Sequence, residues 1–269
     1  MSRPILFWCL LPVGIFFVAF WLLPVTQLLV LPAQQDWTLY FAVLTQWRYF
    51  ESLMNTLFLS VSVTALTLVL GAAVGLYLAR HRFVGKRLLL AILTLPLSFP
   101  GVIVGFFMIL LAGRQGLIAD ITEFIGLGRV TFAYGFLGLF LAYLYFSLPR
   151  AIAAYEAAAQ AMDPELEQAA RTLGANRWHI VRDVWVPQLA PTTAACAAIV
   201  FATAVGAFGT AFTLSSKFEV LPITIYSEFT NFANFALAAS LSIAMGLCTW
   251  FVLFLARRRG ASTLPGVVR

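Results

Sequence analysis

The sequence predicts an all-α membrane protein with six transmembrane helices and both termini in the cytoplasm. Three observations lead there: an extreme composition, six long apolar stretches, and a lopsided distribution of basic residues. Of 269 residues, 62% are hydrophobic and only 10% charged, with a mean hydropathy of +0.93. A soluble domain carries about 25% charged residues, so this chain cannot cover a globule with polar surface. The net charge of +6 does not point to nucleic acid, because the basic residues sit at the ends of apolar segments rather than on a soluble patch.

The stretches 5–31, 52–79, 88–112, 131–148, 190–212 and 235–256 are each apolar and long enough to cross a hydrocarbon core of about 30 Å. They must be helices, because a lipid-exposed backbone satisfies its own hydrogen bonds and the runs lack the alternation of a barrel strand. The first could be mistaken for a signal peptide. Its run is about twice the usual 7–15-residue core, and Pro12 and Pro24 interrupt it without a small-residue cleavage site. It is expected to be a span.

Basic residues favour the cytoplasmic side of a membrane. With the N-terminus inside, that side holds Arg3, Arg80, Arg82, Lys86, Arg87, Arg150, Arg171, Arg177, Arg182, Arg257, Arg258, Arg259 and Arg269. The other face has only Arg48, Arg114, Arg129 and Lys217. Counting acids, thirteen minus five leaves +8 inside, and four minus six leaves −2 outside. The spans contain almost no ionisable residue, which argues against a proton-coupled pump or a voltage sensor. Glu51 and Glu228 fall near outer ends and read as interfacial residues within reach of water. Energy for active transport must therefore enter from a loop or a partner.

The longest cytoplasmic stretch is the loop 150–188. Asp163 before Pro164 is a helix start, since aspartate caps free N–H groups and proline fits the first helical position. Glu165 and Glu167 place negative charge at the positive end of the dipole. Gly174 suits a left-handed cap. The resulting helix of about ten residues is too short to be stable alone and needs something to pack against. Leu166, Ala169, Ala170 and Leu173 share one face. That face is small and alanine-rich, which suits a protein groove better than lipid. Glu167 and Arg171, four apart, can pair on an exposed face for about 0.2–0.5 kcal/mol.

The segment Gln168-Ala-Ala-Arg-Thr-Leu-Gly174, nine residues, then Val184-Trp-Val186-Pro187 resembles the EAA loop of type I ABC-importer permeases, the binding-protein-dependent transport family. Ala169, Ala170, Gly174 and Pro187 match that pattern in spacing, and Val184 and Val186 replace its aliphatic residues. Gln168 stands where the family has glutamate, keeping the reach but losing the charge. The similarity covers roughly residues 51–256, with 1–50 an added first span and outer loop and 257–269 a cytoplasmic tail. The resemblance implies a bacterial inner-membrane permease subunit that couples to a separate ATPase dimer through the loop at 163–187. The coupling residues would be Asp163, Glu167, Gln168, Ala169, Ala170, Arg171, Gly174 and Pro187. It also implies a periplasmic substrate-binding protein and a second permease subunit, with a heterodimer favoured over a homodimer. The chain lacks the GxxxxGK[ST] phosphate loop, so ATP is expected on the partner. No cofactor or metal is expected on this chain, since His81 and His179 have no partner ligand at motif spacing. The stretch from Tyr49 to Leu57 and Leu95-Pro-Leu97 are most similar to the polyamine, ferric-iron and aminoethylphosphonate branch, which implies a small polar solute such as a polyamine.

Two interruptions are candidates for the translocation path or gate. Pro96, Pro100 and Gly101 break the third span, and Gly206, Phe208 and Gly209 lie in the fifth. Broken membrane helices are usually shielded in protein or face a cavity, although the second group also reads as a small-residue packing face. Asn55 and Thr56 can hydrogen-bond across helices. Cys9, Cys196 and Cys248 read as small buried hydrophobes. The competing functions are a secondary transporter or channel, disfavoured by the uncharged spans, and a membrane enzyme, disfavoured by missing catalytic clusters.

Overall fold

The computed structural model describes residues 11–261, so Arg3, Cys9 and Arg269 lie outside the described residues. Among the described residues, six helices are long and apolar enough to cross a membrane. In chain order the elements are α1 (Leu11–Gln35), α2 (Trp47–Arg80), α3 (Lys86–Thr94), α4 (Gly101–Ala112), α5 (Leu117–Phe124) and α6 (Phe136–Gln160). Then come α7 (Pro164–Thr172), α8 (Arg177–Val205), α9 (Phe208–Leu214), α10 (Leu221–Thr230) and α11 (Phe235–Ala261).

Pro24 does not interrupt the first span, and Pro12 stands at the start of its described residues. A π-turn at Val18–Leu22 lets Leu23 N–H reach the Val18 carbonyl, and Pro24 follows without needing a donor. The same device recurs in α8, where the π-turn Ile180–Trp185 carries Val186 N–H to the Val181 carbonyl just before Pro187. Each widened turn absorbs a proline that would otherwise kink or end the helix.

Several expected boundaries move. The third stretch, 88–112, is not one helix: α3 tightens into a 3-10 turn at Leu95–Ser98, Phe99 is extended, and α4 restarts after Pro100. The span-length segment is instead Gly101–Phe124. The fourth helix runs on to Gln160 instead of stopping at 148, because 151–159 is rich in alanine, the best helix former. The fifth begins at Arg177 and ends at Val205, short of 212. The loop expected over 150–188 is therefore mostly helix, and only 161–176 lies outside the two long helices. The sixth candidate span, Phe235–Ala256, lies where expected.

The chain forms two compact units, 1–53 with 224–248 and 54–223 with 249–269. In the first, Tyr49 Oη donates to Glu228 Oε1 at 3.1 Å, Arg48 approaches the same oxygen at 3.9 Å, and the Ser52 and Thr224 hydroxyls bond at 2.7 Å. Glu228 is therefore buried rather than interfacial, because α10 turns it inward onto the Tyr49 hydroxyl and toward the Arg48 charge. Glu51 stays exposed. The most apolar 18-residue stretch of α1 buries none of its residues.

In the second unit Leu59, Val63, Val104, Leu139, Tyr143 and Val200 form the main core, joined by Ala211 and Leu214 of α9. A smaller cluster joins Ala151, Tyr155 and Leu189 to Leu76 and Trp185. Helices α2 and α6 meet backbone to backbone: a Cβ at Gly75 would stand 2.7 Å from Tyr155 Cβ and 2.9 Å from Glu156 N. Thr56 Oγ1 accepts Leu221 N–H, the first residue of α10, at 2.8 Å, so it does bond across helices, while Asn55 Nδ2 donates to the Glu219 carbonyl just before α10 at 3.1 Å. Cys196 is buried.

Candidate functional site

The helix expected at 163–174 is present as α7, and both of its ends are capped. Asp163 Oδ1 accepts Glu165 N–H at 2.8 Å. At the other end Gly174 has φ +80°. Its N–H bonds the Arg171 carbonyl, and Ala175 N–H the Ala170 carbonyl, each at 3.0 Å. This paired arrangement satisfies carbonyls that would otherwise be stranded.

Glu167 is not on an open face. Its Oε2 accepts from Arg80 Nη2 at 2.9 Å and from Trp185 Nε1 at 3.1 Å, while Oε1 accepts from Arg171 Nη2 at 2.9 Å. The Arg80 guanidinium stacks over the Trp185 ring, 3.5 Å from its centroid. The Arg171 hydrogen bond, then those of Trp185 and the Arg80 charge, hold the Glu167 carboxyl below the usual carboxylate range. Glu167 therefore ties α7 to the last turn of α2 and to the π-turn of α8. The expected Glu167–Arg171 pair exists but belongs to a four-residue cluster, because the turn after Gln160 swings this face of α7 back onto its own chain. Asp163 N–H also donates to Gln188 Oε1 at 3.3 Å, next to Pro187.

The inward-facing side of α7 is thus polar and paired, whereas its outward side carries exposed apolar residues beside Gln168. Leu166 is 50% exposed and Leu173 88%. Gln168, Ala169 and Arg171 are exposed, Ala170 is half-buried, and Trp178 just beyond is 69% exposed. This combination fixes the helix in place and leaves Leu166 and Leu173 exposed.

The two helix interruptions come together. Gly101 opens α4 against the start of α9: a Cβ there would stand 2.9 Å from Thr210 Oγ1. A Cβ at Gly209 would stand 3.1 Å from Val102 N. Gly206 is the C-cap of α8 and Phe208 begins α9, so this stretch is a second helix break, and its Gly209 also makes the close small-residue packing contact with α4. Pro96, Gly101, Gly206, Phe208 and Gly209 all line one cavity of about 330 Å³. Pro100 is not among its lining residues; it is the N-cap of α4, and its carbonyl accepts Ile103 N–H at 2.9 Å.

Sequence reasoning missed Arg80 and Trp185 as partners of Glu167, and Arg150 and Phe146 in the cavity wall. It also missed an ion pair of Lys86 Nζ with Glu156 at 2.8 Å, both largely buried, which fastens the start of α3 to the end of α6. Of these only Trp185 carried a signal, through its place between Val184 and Val186.

A six-span helical fold with interrupted helices around a cavity, and a capped helix outside the spans, defines a membrane transport subunit. The chain belongs to the family of binding-protein-dependent transport system inner membrane components, whose model matches residues 71–259. The molybdenum transport system permease protein ModB of Escherichia coli (strain K12) is 33% identical over 178 residues, 63% of this chain and 76% of that protein. ModB of Azotobacter vinelandii is 32% identical over 203 residues, 74% of this chain and 88% of that protein. The sulfate transport system permease protein CysT of Escherichia coli (strain K12) is 28% identical over 240 residues, 85% and 86% of the two chains.

Among solved structures, a bacterial alginate ABC transporter in complex with alginate pentasaccharide-bound periplasmic protein superposes with a TM-score of 0.84. Its identity is 20%, with 98% of this chain and 96% of that one covered. The inward-facing MetNI methionine ABC transporter gives a TM-score of 0.63 at 20% identity, covering 82% and 98%. The protein is accordingly a multi-pass inner-membrane permease of the ABC-importer type.

Proposed function

We propose that this chain is one of two permease subunits of an ATP-driven importer of a small inorganic oxyanion, driven by a separate ATPase dimer that grips α7. The observation that carries the coupling assignment is the two-sided character of α7. Its inner side is pinned through Glu167 to Arg80 and Trp185, and its outer side presents Leu166, Ala169 and Leu173. A helix held this way moves as one body with α2 and α8, so closure of a partner groove around it transmits force to the spans. The two states differ in their contacts at α7, which is what lets nucleotide bias the equilibrium.

Asp163 and Glu167 position the helix, Ala169, Ala170 and Gln168 form its contact face, and Gly174 closes it. ATP stays on the partner. A periplasmic binding protein delivers substrate, and a second permease, preferably a different chain, completes the path.

The polyamine substrate expected from the N-terminal spacing finds no support among the relatives described above, which are named for molybdenum and sulfate. Molybdenum is soluble at neutral pH as a tetrahedral dianion like sulfate, so an oxyanion is the reading these relatives favour. The test is uptake in liposomes holding this chain with the ATPase and permease subunits that co-purify with it and their binding protein. Labelled sulfate and molybdate should enter with ATP, and spermidine should not; uptake of spermidine alone defeats the substrate assignment.

The basic asymmetry supports cytoplasmic termini. Reporter fusions after residue 269 and near residue 118 should report cytoplasm and periplasm respectively, and the reverse pattern would overturn the orientation.

A further inference from the structure

We propose that the cavity at the two helix breaks is an oxyanion-binding waypoint within the permease, with Arg150 as its cationic contact. The inference rests on the oxyanion reading above and assigns that substrate a place in this chain. Among the described residues lining the cavity, Arg150 carries the sole charge. Arg48, Arg80, Lys86, Arg129, Arg171 and Arg182 each lie beside a carboxylate. Arg150, like Arg82, Arg87, Arg114 and Arg177, has no such partner among the described residues; it is exposed, and of these it is the one that lines the cavity. Its guanidinium is always charged and offers a planar fork of donors suited to oxyanions.

The remaining chemistry of the wall points the same way. Broken helices expose carbonyl oxygens, which attract cations. Here Thr210 Oγ1 donates to the Gly101 carbonyl and Tyr143 Oη to the Ala207 carbonyl, each at 2.9 Å. One carbonyl at each break is thereby engaged by a hydroxyl donor, and no carboxylate lines the space. Phe99, Phe146 and Phe208 could face a cation, but Arg150 repels one from the same cavity. A positively charged solute finds no opposite charge there, whereas a dianion meets a guanidinium fork that matches its oxygens. About 330 Å³ accommodates a tetrahedral oxyanion with part of its water.

Two measurements on the intact importer in liposomes test this. In the unmodified protein, phenylglyoxal labelling of Arg150 is followed by peptide mass spectrometry, with Arg177 as internal reference. Sulfate or molybdate should slow labelling at Arg150 several-fold relative to Arg177, and chloride at equal ionic strength should not. In the second, Arg150→Gln should lower the maximal rate of sulfate and molybdate uptake about ten- to a hundredfold, the size of one hydrogen bond to a charged partner. The half-saturating concentration of loaded binding protein should stay unchanged, and Arg150→Lys should recover most of the rate.

The labelling measurement needs no variant, so a misfolded substitution cannot obscure the answer. If oxyanions are imported but neither protect Arg150 nor depend on it, this inference fails while the substrate reading stands. If the importer takes spermidine and neither oxyanion, both fail together.

Discussion

Helix α7 is fastened by side chains, whereas the starts of α4 and α9 are fastened by backbone. At α7 a carboxylate gathers two guanidinium groups and an indole N–H, and removal of one partner leaves the others in place. At the breaks, glycines bring one main chain against another, and Thr210 closes the contact with a hydroxyl. The first design tolerates movement as a unit, since its bonds travel with it. The second tolerates almost no added volume, because close-packed backbone has nowhere to go. The difference teaches where each kind of substitution should act: glycine changes at the breaks should damage folding, and changes around α7 should damage coupling in a folded protein.

The sharpest way to break this comparison is valine at Gly105, in the second turn of α4. A Cβ there would lie 1.7 Å from Thr213 Oγ1 and 3.0 Å from Thr213 Cβ. Rotation of the hydroxyl relieves only the first contact. Overpacking of this kind costs about 1–3 kcal/mol and occasionally more, so Gly105→Val should lower the yield and melting temperature of detergent-solubilised protein. Normal yield with full uptake would mean the α4–α9 contact is looser than its geometry implies.

Gly174→Val is the matched test at α7. Nothing lies within 4 Å of the added Cβ, so space is not the issue. The cost is conformational: φ +80° opposes a β-branched side chain by about 1–3 kcal/mol. Because α7 is short and has little stability of its own, that sum is enough to unwind its last turn. Uptake and ATPase co-purification should be lost while membrane levels remain those of wild type. Parallel loss of membrane protein would erase the distinction between the two regions.

What could be read in advance follows the same division. The α7 caps were legible because Asp163-Pro164 and Gly174 act within a few residues of themselves. The existence of both helix breaks was partly legible from proline and glycine. That Pro96, Gly101, Gly206 and Phe208 share one cavity was not, because it depends on α4 packing against α9 across about a hundred residues of chain. Arg80 read only as a basic residue ending a span, and its stacking on Trp185 is a tertiary contact with no local signature. The proline-absorbing π-turns were also hidden, since proline in a span predicts a kink and does not predict how the backbone avoids one. Alanines beyond Arg150 read as loop by hydropathy, which ignores their helix propensity.

Arg80→Ala should have a smaller effect than either glycine change. It removes one ion pair to Glu167 and the stacking on Trp185, but Arg171 and the indole still hold the carboxylate. Both partners are partly solvated, so the pair itself contributes about 0.2–1 kcal/mol. The expected result is a few-fold fall in uptake per ATP hydrolysed, with ATPase association retained and Arg80→Lys intermediate. A double-mutant cycle with Glu167→Gln should show non-additive effects. Strict additivity would remove Arg80 from the cluster that positions α7.

The smallest effect is expected at Gln168, and it separates anchoring from contact. Gln168 is exposed, so its side chain belongs to the outward face and not to the Glu167 cluster. Gln168→Glu restores the residue found in related EAA loops and adds a carboxylate three residues before Arg171, which already pairs with Glu167. The new charge competes for one guanidinium on an exposed surface, where a substitution changes stability by about 0.5 kcal/mol or less. Uptake should therefore stay within about twofold of wild type. Gln168→Ala deletes about one hydrogen bond to the partner, roughly 0.5–1.5 kcal/mol, and should weaken ATPase co-purification without abolishing uptake. If Gln168→Ala is inactive while Gly174→Val transports normally, docking depends on the side chain at 168. The capped geometry of α7 would then be incidental to coupling.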